Sequence, residues 1–383
     1  MDTFNHIDYD NCITNLTSSI EKHFNLPPHY KTNKVIDDLL IEKDYENVIL
    51  IVFDALGNSI IDKNTTENHF LQKHRISTMS STYPPTTANC TICYQTGLNP
   101  ITTGWLGWST YYKDLDLAID NFPNVNSITK EVILGDNIAE RKMPLSLLGD
   151  RIASNNKDVS FYSVWPSFKE NGCNSLKEFE HRIIKLCNQP GRKFIYAYWS
   201  EPDSTMHEEG TSTPHIKKIL NDIGKSLHRI KRKTKNTIAI ISADHSQVDV
   251  TPIALYTYYD LLDCLYAPFS CDSRTPFFFV KEERKEEFVK LFNQYFDGKY
   301  KLFSKQEIID NHVFGYGDEH PLFKDIIGDY VGVAIDKYFF LQTPDYPLFK
   351  GHHAGALKEE ASIPIIVIKN GSNSNRRVFV GVH

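Results

Sequence analysis

Three short stretches of the chain set aspartates and histidines, or two histidines, close together. PDSTMH carries Asp203 and His207, SADHS carries Asp244 and His245, and GHHAG carries His352 and His353. Carboxylates and imidazoles are the oxygen and nitrogen ligands that zinc and similar divalent ions accept. With Asp54, which ends the run NVILIVFD, the set is large enough for two such ions. Asp203 and His207 stand four positions apart and share one side if the segment turns helically. The adjacent Asp244 and His245 can serve one ion from a loop but not from an extended strand, where neighbours point to opposite faces.

A hydroxyl suited to work beside such ions lies in STYPPTTANCTICYQTG, residues 80–96. Two metals about 3.5–4 Å apart suit in-line displacement at phosphorus, one activating the attacking oxygen and the other stabilising the leaving one. Threonine is a weak nucleophile at its free pKa, and a bound cation is one means of making its alkoxide available. Thr86 and Thr87 follow Pro84 and Pro85 and precede a helix-like run, whose first amides and positive dipole end favour a phosphate. The residue types alone leave either threonine as the nucleophile. Cys90 and Cys93 form a C-x-x-C, but no second pair follows at zinc-site spacing, so they read as core thiols.

The elements that must position these groups are readable from hydrophobic pattern. NVILIVFDALG (47–57), KFIYAYWSEPDSTMH (193–207) and NTIAIISADHS (236–246) each open with an apolar run of strand length and end in a candidate ligand. Continuous apolar runs of that kind belong to strands buried on both faces of a parallel sheet. Helix-like stretches lie between them, roughly at 59–74, 88–97, 144–155, 175–188 and 214–232. The alternation predicts an α/β fold with a mostly parallel central sheet and helices on both faces. Ligands in such sheets sit outside the carboxyl ends of the strands, the edge where Asp54, Asp203, His207, Asp244 and His245 would gather.

Composition narrows the function classes. The 383 residues, 41% of them hydrophobic, can bury one large core or two modest ones, and no repeat, low-complexity segment or linker marks a boundary. We read residues 1–383 as a single domain. A formal net charge of −6 supplies no global attraction to nucleic acid or to an anionic membrane, so no stable nucleic-acid complex is expected and any phosphate must be held locally. HRIKRKTK (228–235) closes a helix, where cations suit the dipole, and is not read as a nucleic-acid patch. No apolar run reaches the roughly 20 residues of a spanning helix, and MDTFNHIDYDNC has neither the basic nor the apolar region of a signal peptide. Seven scattered cysteines do not form a disulfide framework. The expectation is a protein of the cytoplasm with no membrane partner.

Taken in order, FDALG, YPPTTANCTICYQTGLNP, PDSTMH, SADHS and GHHAGALKEEASIPIIV resemble the alkaline phosphatase superfamily, and within it the type I phosphodiesterase and nucleotide pyrophosphatase branch. The resemblance runs from about residue 46 to 368 and is specific in order, spacing and flanking apolar runs. It implies an alkaline-phosphatase-like fold with two divalent metal ions, zinc in the usual case, with manganese also accepted by Asp and His ligands. By the same resemblance Asp54, Thr87, Asp244 and His245 hold one metal. Asp203, His207 and a histidine of GHHAG hold the other. His353, before Ala354 and Gly355, fits the family pattern of His-Gly-Gly or His-Gly-Tyr better than His352. The family's nucleophile lies nine positions before the Thr of TGL, which selects Thr87; aligning on Asn89 instead would select Thr86.

Departures concern the substrate. Ala88 stands where pyrophosphatases of the branch commonly have a base-stacking aromatic, and Trp108 of TTGWLGW stands where they have an oxygen-binding Asn. Trp105, Trp108, Tyr111 and Tyr112 offer flat surfaces that either stack a base or fill a core. Residues 252–345 fall where the superfamily inserts a cap over the active site. Within that segment KEERKEE reads as a solvated helix face, and GYGDEHP, with Asp318, Glu319 and His320, as a polar loop and not a third metal site. The resemblance implies a hydrolase of phosphodiester or pyrophosphate bonds in a small, nucleotide-type substrate, acting through a covalent phosphoryl or nucleotidyl threonine. A phosphomonoesterase of the same superfamily and a non-catalytic binding protein keeping the fold are the alternatives. A sulfatase lacks its Cys-x-Pro-x-Arg or Ser-x-Pro-x-Arg segment here, and the phosphomutases of the superfamily use serine and manganese.

Overall fold

The computed structural model describes residues 2–370. Its centre is a six-stranded sheet in the order Arg75–Ser80, Ser362–Asn370, Thr237–Ser242, Asn47–Phe53, Arg192–Trp199, Val159–Val164. Asn47–Phe53 pairs in parallel with Arg192–Trp199 and Thr237–Ser242, and Val159–Val164 runs parallel to Arg192–Trp199. Ser362–Asn370 is antiparallel to both of its neighbours. The sheet is therefore mostly parallel, with one reversed strand.

Burial follows position in the sheet. Every residue of Asn47–Phe53 and Thr237–Ser242 is buried, as interior strands covered on both faces require. The edge strands Arg75–Ser80 and Val159–Val164 mix exposed and buried positions. Phe194 packs against Phe24 and Phe161, whereas Trp199, five residues on and hence on the opposite face, packs against Phe179. Helices thus cover both sides.

On one side lie Leu176–Cys187 and Pro214–Lys233. The latter buries Ile216, Leu220, Ile223, Leu227 and Ile230 as a single stripe, is capped at its head by the Thr213 hydroxyl, and ends in Lys231, Arg232 and Lys233. A bidentate pair between Arg229 and Glu180 joins the two helices. The other side carries Ile13–His23, Thr87–Thr96 and Leu148–Asn155. The stretch 59–74, one helix by its pattern, is broken into Asn58–Asn64 and Phe70–His74. Asn64 turns its amide onto the carbonyls of Ile60 and Thr211, and Thr65 leaves the helix in an extended conformation.

A second, antiparallel sheet of seven strands has the order Tyr300–Ser304, Tyr330–Ala334, Thr275–Val280, Leu265–Asp272, Ser109–Tyr112, Leu117–Asp120, Val125–Asn126. It unites strands from 109–126 with strands from 265–334 through the pairing of Cys271 with Ser109. Thr275–Val280 is buried throughout. Beside it, helix Lys285–Phe296 buries Phe288, Phe292 and Phe296 and leaves Glu286 and Glu287 in solvent. Asp318 and Glu319 are exposed, and His320 packs on Gly104.

Candidate active site

Because the parallel strands share a direction, their carboxyl ends share an edge, and the loops leaving that edge carry the candidate ligands. Asp54 directly follows its strand, its amide bonded to the carbonyl of Trp199 at 2.9 Å. The chain then turns through Ala55, whose φ is +56°. Its amide donates to Asp244 Oδ1 at 3.1 Å. Gly57 lets this loop lie on the next one, since a Cβ there would sit 2.1 Å from the Cβ of Ser246. Asp244 and His245 occupy a loop after Thr237–Ser242, and both are fully buried. Asp203 opens helix Asp203–Glu209, which places His207 one turn on, with Nε2 3.3 Å from Asp203 Oδ2.

Thr87 is the first residue of helix Thr87–Thr96, where the preceding loop ends. Its Oγ1 is 3.1 Å from His245 Nε2 and 3.4 Å from Asp54 Oδ2. Thr87 is partly open to solvent. Thr86 is buried, and its hydroxyl faces Asp272 instead. His353 stacks on His245, with ring centroids 3.9 Å apart, and points Nε2 toward Asp203 Oδ1 at 3.9 Å.

Three groups of side chains bring ligand atoms within 4.8 Å of one another: Asp54, Asp244 and His245; Asp203, His245 and His353; His207, His352 and His353. His245 and His353 each belong to two groups, so the three form one continuous centre. Asp318, Glu319 and His320 belong to none of the groups found among the described residues.

Electrostatics mark the centre as unbalanced without a cation. Burial, reinforced by Asp203 and Asp244, pushes the Asp54 carboxyl well above the usual carboxylate range. Burial likewise raises Asp244. Asp203 runs the other way, because His207 and His245 outweigh the burial that would raise it. Burial and neighbouring imidazoles hold His352 and His353 well below the normal value, in the neutral form that ligates metals. Asp244 Oδ2, His352 Nδ1 and His353 Nδ1 are buried with no hydrogen-bond partner. A divalent cation would satisfy Asp244 Oδ2 and neutralise the clustered carboxylates, so the donor set fits such ions.

Other side chains support the centre. His207 Nδ1 donates to the carbonyl of Gly351 at 2.8 Å and His245 Nδ1 to that of Ser246 at 3.1 Å, so that both Nε2 atoms turn to the centre, toward Asp203 and Thr87. The Tyr198 hydroxyl donates to Asp54 Oδ2, and the Gln247 amide to Asp203 Oδ1. Neither residue was foreseen: Tyr198 reads as one more aromatic of a buried strand, and Gln247 belongs to no motif. Asp272, which accepts from the Trp108 amide and is pushed up to about 7 by burial, reaches the site from the second sheet. Of the aromatics, Trp105 is buried with its indole N–H on the Met143 carbonyl, and Tyr111 and Tyr112 are also core. Trp108 is 42% exposed.

Comparison with solved structures shows a shared fold. Murine ectonucleotide pyrophosphatase / phosphodiesterase 5 superposes with a TM-score of 0.64 at 17% identity, covering 85% of this chain and 88% of the other. An inactive threonine-to-alanine variant of the murine protein, in complex with AMP, gives a TM-score of 0.64 at 17% identity, covering 86% and 88%. The human counterpart gives 0.62 at 16% identity, covering 85% and 88%. No curated protein sequence matches the chain significantly. The sequence pattern of type I phosphodiesterase / nucleotide pyrophosphatase matches residues 48–356, most of the chain. The chain therefore belongs to the type I phosphodiesterase / nucleotide pyrophosphatase family of hydrolases.

Proposed function

We propose that the protein hydrolyses a phosphodiester or pyrophosphate bond of a small, nucleotide-type substrate, with Thr87 as nucleophile. Asp54, Thr87, Asp244 and His245 would hold one divalent cation and Asp203, His207 and His353 a second, zinc being the best match to this mix of imidazole and carboxylate. The observation that carries the reading is the position of the Thr87 hydroxyl, 3.1 Å from His245 Nε2 and 3.4 Å from Asp54 Oδ2 at a helix head. The cations supply charge that favours the threonine alkoxide and stabilises the leaving oxygen. Thr87 Oγ1 attacks phosphorus, the bond to the leaving group breaks, and water later releases the covalent threonine ester. The amides at the head of Thr87–Thr96 face the phosphoryl oxygens.

The AMP complex of the structurally similar murine variant favours a nucleotide-type substrate. Trp108, exposed beside Asp272, is the surface best placed for a base, whereas Trp105 is buried and would act only through Phe122, which both rings touch. The same reading treats the chain as one catalytic domain with residues 252–345 capping the site. Seven buried, unbridged cysteines suit a reducing compartment such as the cytoplasm. The test compares p-nitrophenyl phosphodiesters with the monoester after chelation and zinc readdition. Zinc-dependent hydrolysis that prefers the diester supports the reading. Preference for the monoester would favour a phosphomonoesterase, and no turnover with bound zinc would favour a binding protein.

A further inference from the structure

The seven residues proposed as cation ligands leave one imidazole of the centre without a role. His352 is 4% exposed, and its Nε2 lies 2.7 Å from the Ser273 hydroxyl. Its Nδ1 is buried with no partner. A histidine kept only for packing would be expected to satisfy both nitrogens, since an orphaned buried polar atom is costly. The ring sits against the second cation position: its centroid is 5.3 Å from that of His207 and 5.1 Å from that of His353. A ring nitrogen from each of the three lies within 4.8 Å of the others.

The arrangement repeats that of the neighbouring imidazoles. His207 and His245 each commit one nitrogen to a backbone carbonyl and turn the other to the centre. His352 commits Nε2 to Ser273, whose carbonyl in turn accepts from the Tyr300 hydroxyl at 2.9 Å. Metal-ligating histidines are characteristically oriented by such a partner on the second nitrogen. The chain can present His352 and His353 to one centre because the Gly351–His352 strand ends there and Ala354 turns back with a φ of +78°.

We infer that His352 is a further ligand of the second cation, oriented by Ser273, so that Asp203, His207, His352 and His353 form a site of three imidazoles and one carboxylate. This inference rests on the two-cation reading above. It has a consequence for metal choice. A site so rich in nitrogen suits zinc over manganese, whereas the Asp54, Asp244, Thr87 and His245 site, richer in oxygen, accepts either.

The test titrates zinc and cobalt(II) into metal-free full-length protein, reading affinity by chelator competition and ligand set by the visible cobalt spectrum. Wild type is expected to bind two equivalents. In His352→Ala the first equivalent binds as in wild type, the second weakens at least about 100-fold and the cobalt spectrum changes; Ser273→Ala weakens the second about 10-fold. Wild-type affinity and spectrum for both equivalents in His352→Ala overturn the inference and leave the two-cation reading intact. If His352→Ala does not fold, Ser273→Ala decides, and an unchanged second affinity there overturns it. Wild type binding fewer than two equivalents defeats the two-cation reading itself, and the inference with it.

Discussion

The Thr275 hydroxyl donates to the backbone carbonyl of Ala354, the residue after His353, at 2.5 Å. It also accepts from the Tyr83 hydroxyl at 2.7 Å, and the Ala354 amide donates to the Pro85 carbonyl at 3.0 Å. One side chain of the second sheet thus joins the loop that precedes Thr87 to the loop that carries His353. Thr275→Val keeps the shape but leaves two buried partners unpaired, at a cost of about 1–3 kcal/mol. Denaturant unfolding of the metal-free protein checks this, and a change within error would show that the junction is dispensable.

Arg274, the residue before Thr275, forms a fully buried ion pair with Glu360, which also accepts from the Gly355 amide. Removing one member strands a buried charge, so Glu360→Ala should cost about 3–5 kcal/mol. Asp38→Ala, which removes the exposed i,i+4 partner of Lys34, should cost no more than about 0.5 kcal/mol. Equal losses in the two variants would show that burial adds nothing to the Arg274–Glu360 pair.

Tyr198 orients Asp54 through its hydroxyl. Tyr198→Phe should lower the affinity of the cation bound by Asp54 by about 10- to 100-fold while keeping two equivalents. Chelator competition measures it, and unchanged affinity would remove Tyr198 from the supporting shell.

The carboxyls of Asp54 and Asp244 are raised in the cation-free protein. Their folded-state pKa values lie above the unfolded ones, so their contribution to stability is complete below the unfolded pKa and is lost as pH rises through the raised values. Asp203, held low, contributes in the opposite sense. A cation must displace the protons of the raised pair, so its affinity climbs with pH. Thermal unfolding with and without zinc should show a larger zinc-induced rise in Tm at pH 7.5 than at pH 5.5. An equal rise at both would contradict the assignment of these carboxyls as ligands.

The central sheet was legible because interior parallel strands are buried on both faces, which makes NVILIVF and TIAIIS uninterrupted apolar runs ending where the loops must carry polar groups. The spacing of Asp203 and His207 was legible for a similar reason, four residues being one helical turn. The second sheet was harder to read. Its strands pair across long separations, as Cys271 with Ser109, and Leu265–Asp272 is interrupted by register shifts that erase strict alternation. Trp105 illustrates the limit of a local reading. Its loop has the look of a binding loop, but Gly104, at a φ of +73°, precedes a residue that is turned into the core.

The identity of the nucleophile is tested most directly by measuring kcat of Thr87→Ala and Thr86→Ala side by side on bis(p-nitrophenyl) phosphate, each loaded to the same zinc content. Thr87→Ala is expected to lower kcat roughly 1,000-fold or more, as for loss of a nucleophile, and Thr86→Ala to change it by no more than about 10-fold. Full activity in Thr87→Ala, or the large loss appearing in Thr86→Ala alone, would contradict the assignment of Thr87 as nucleophile.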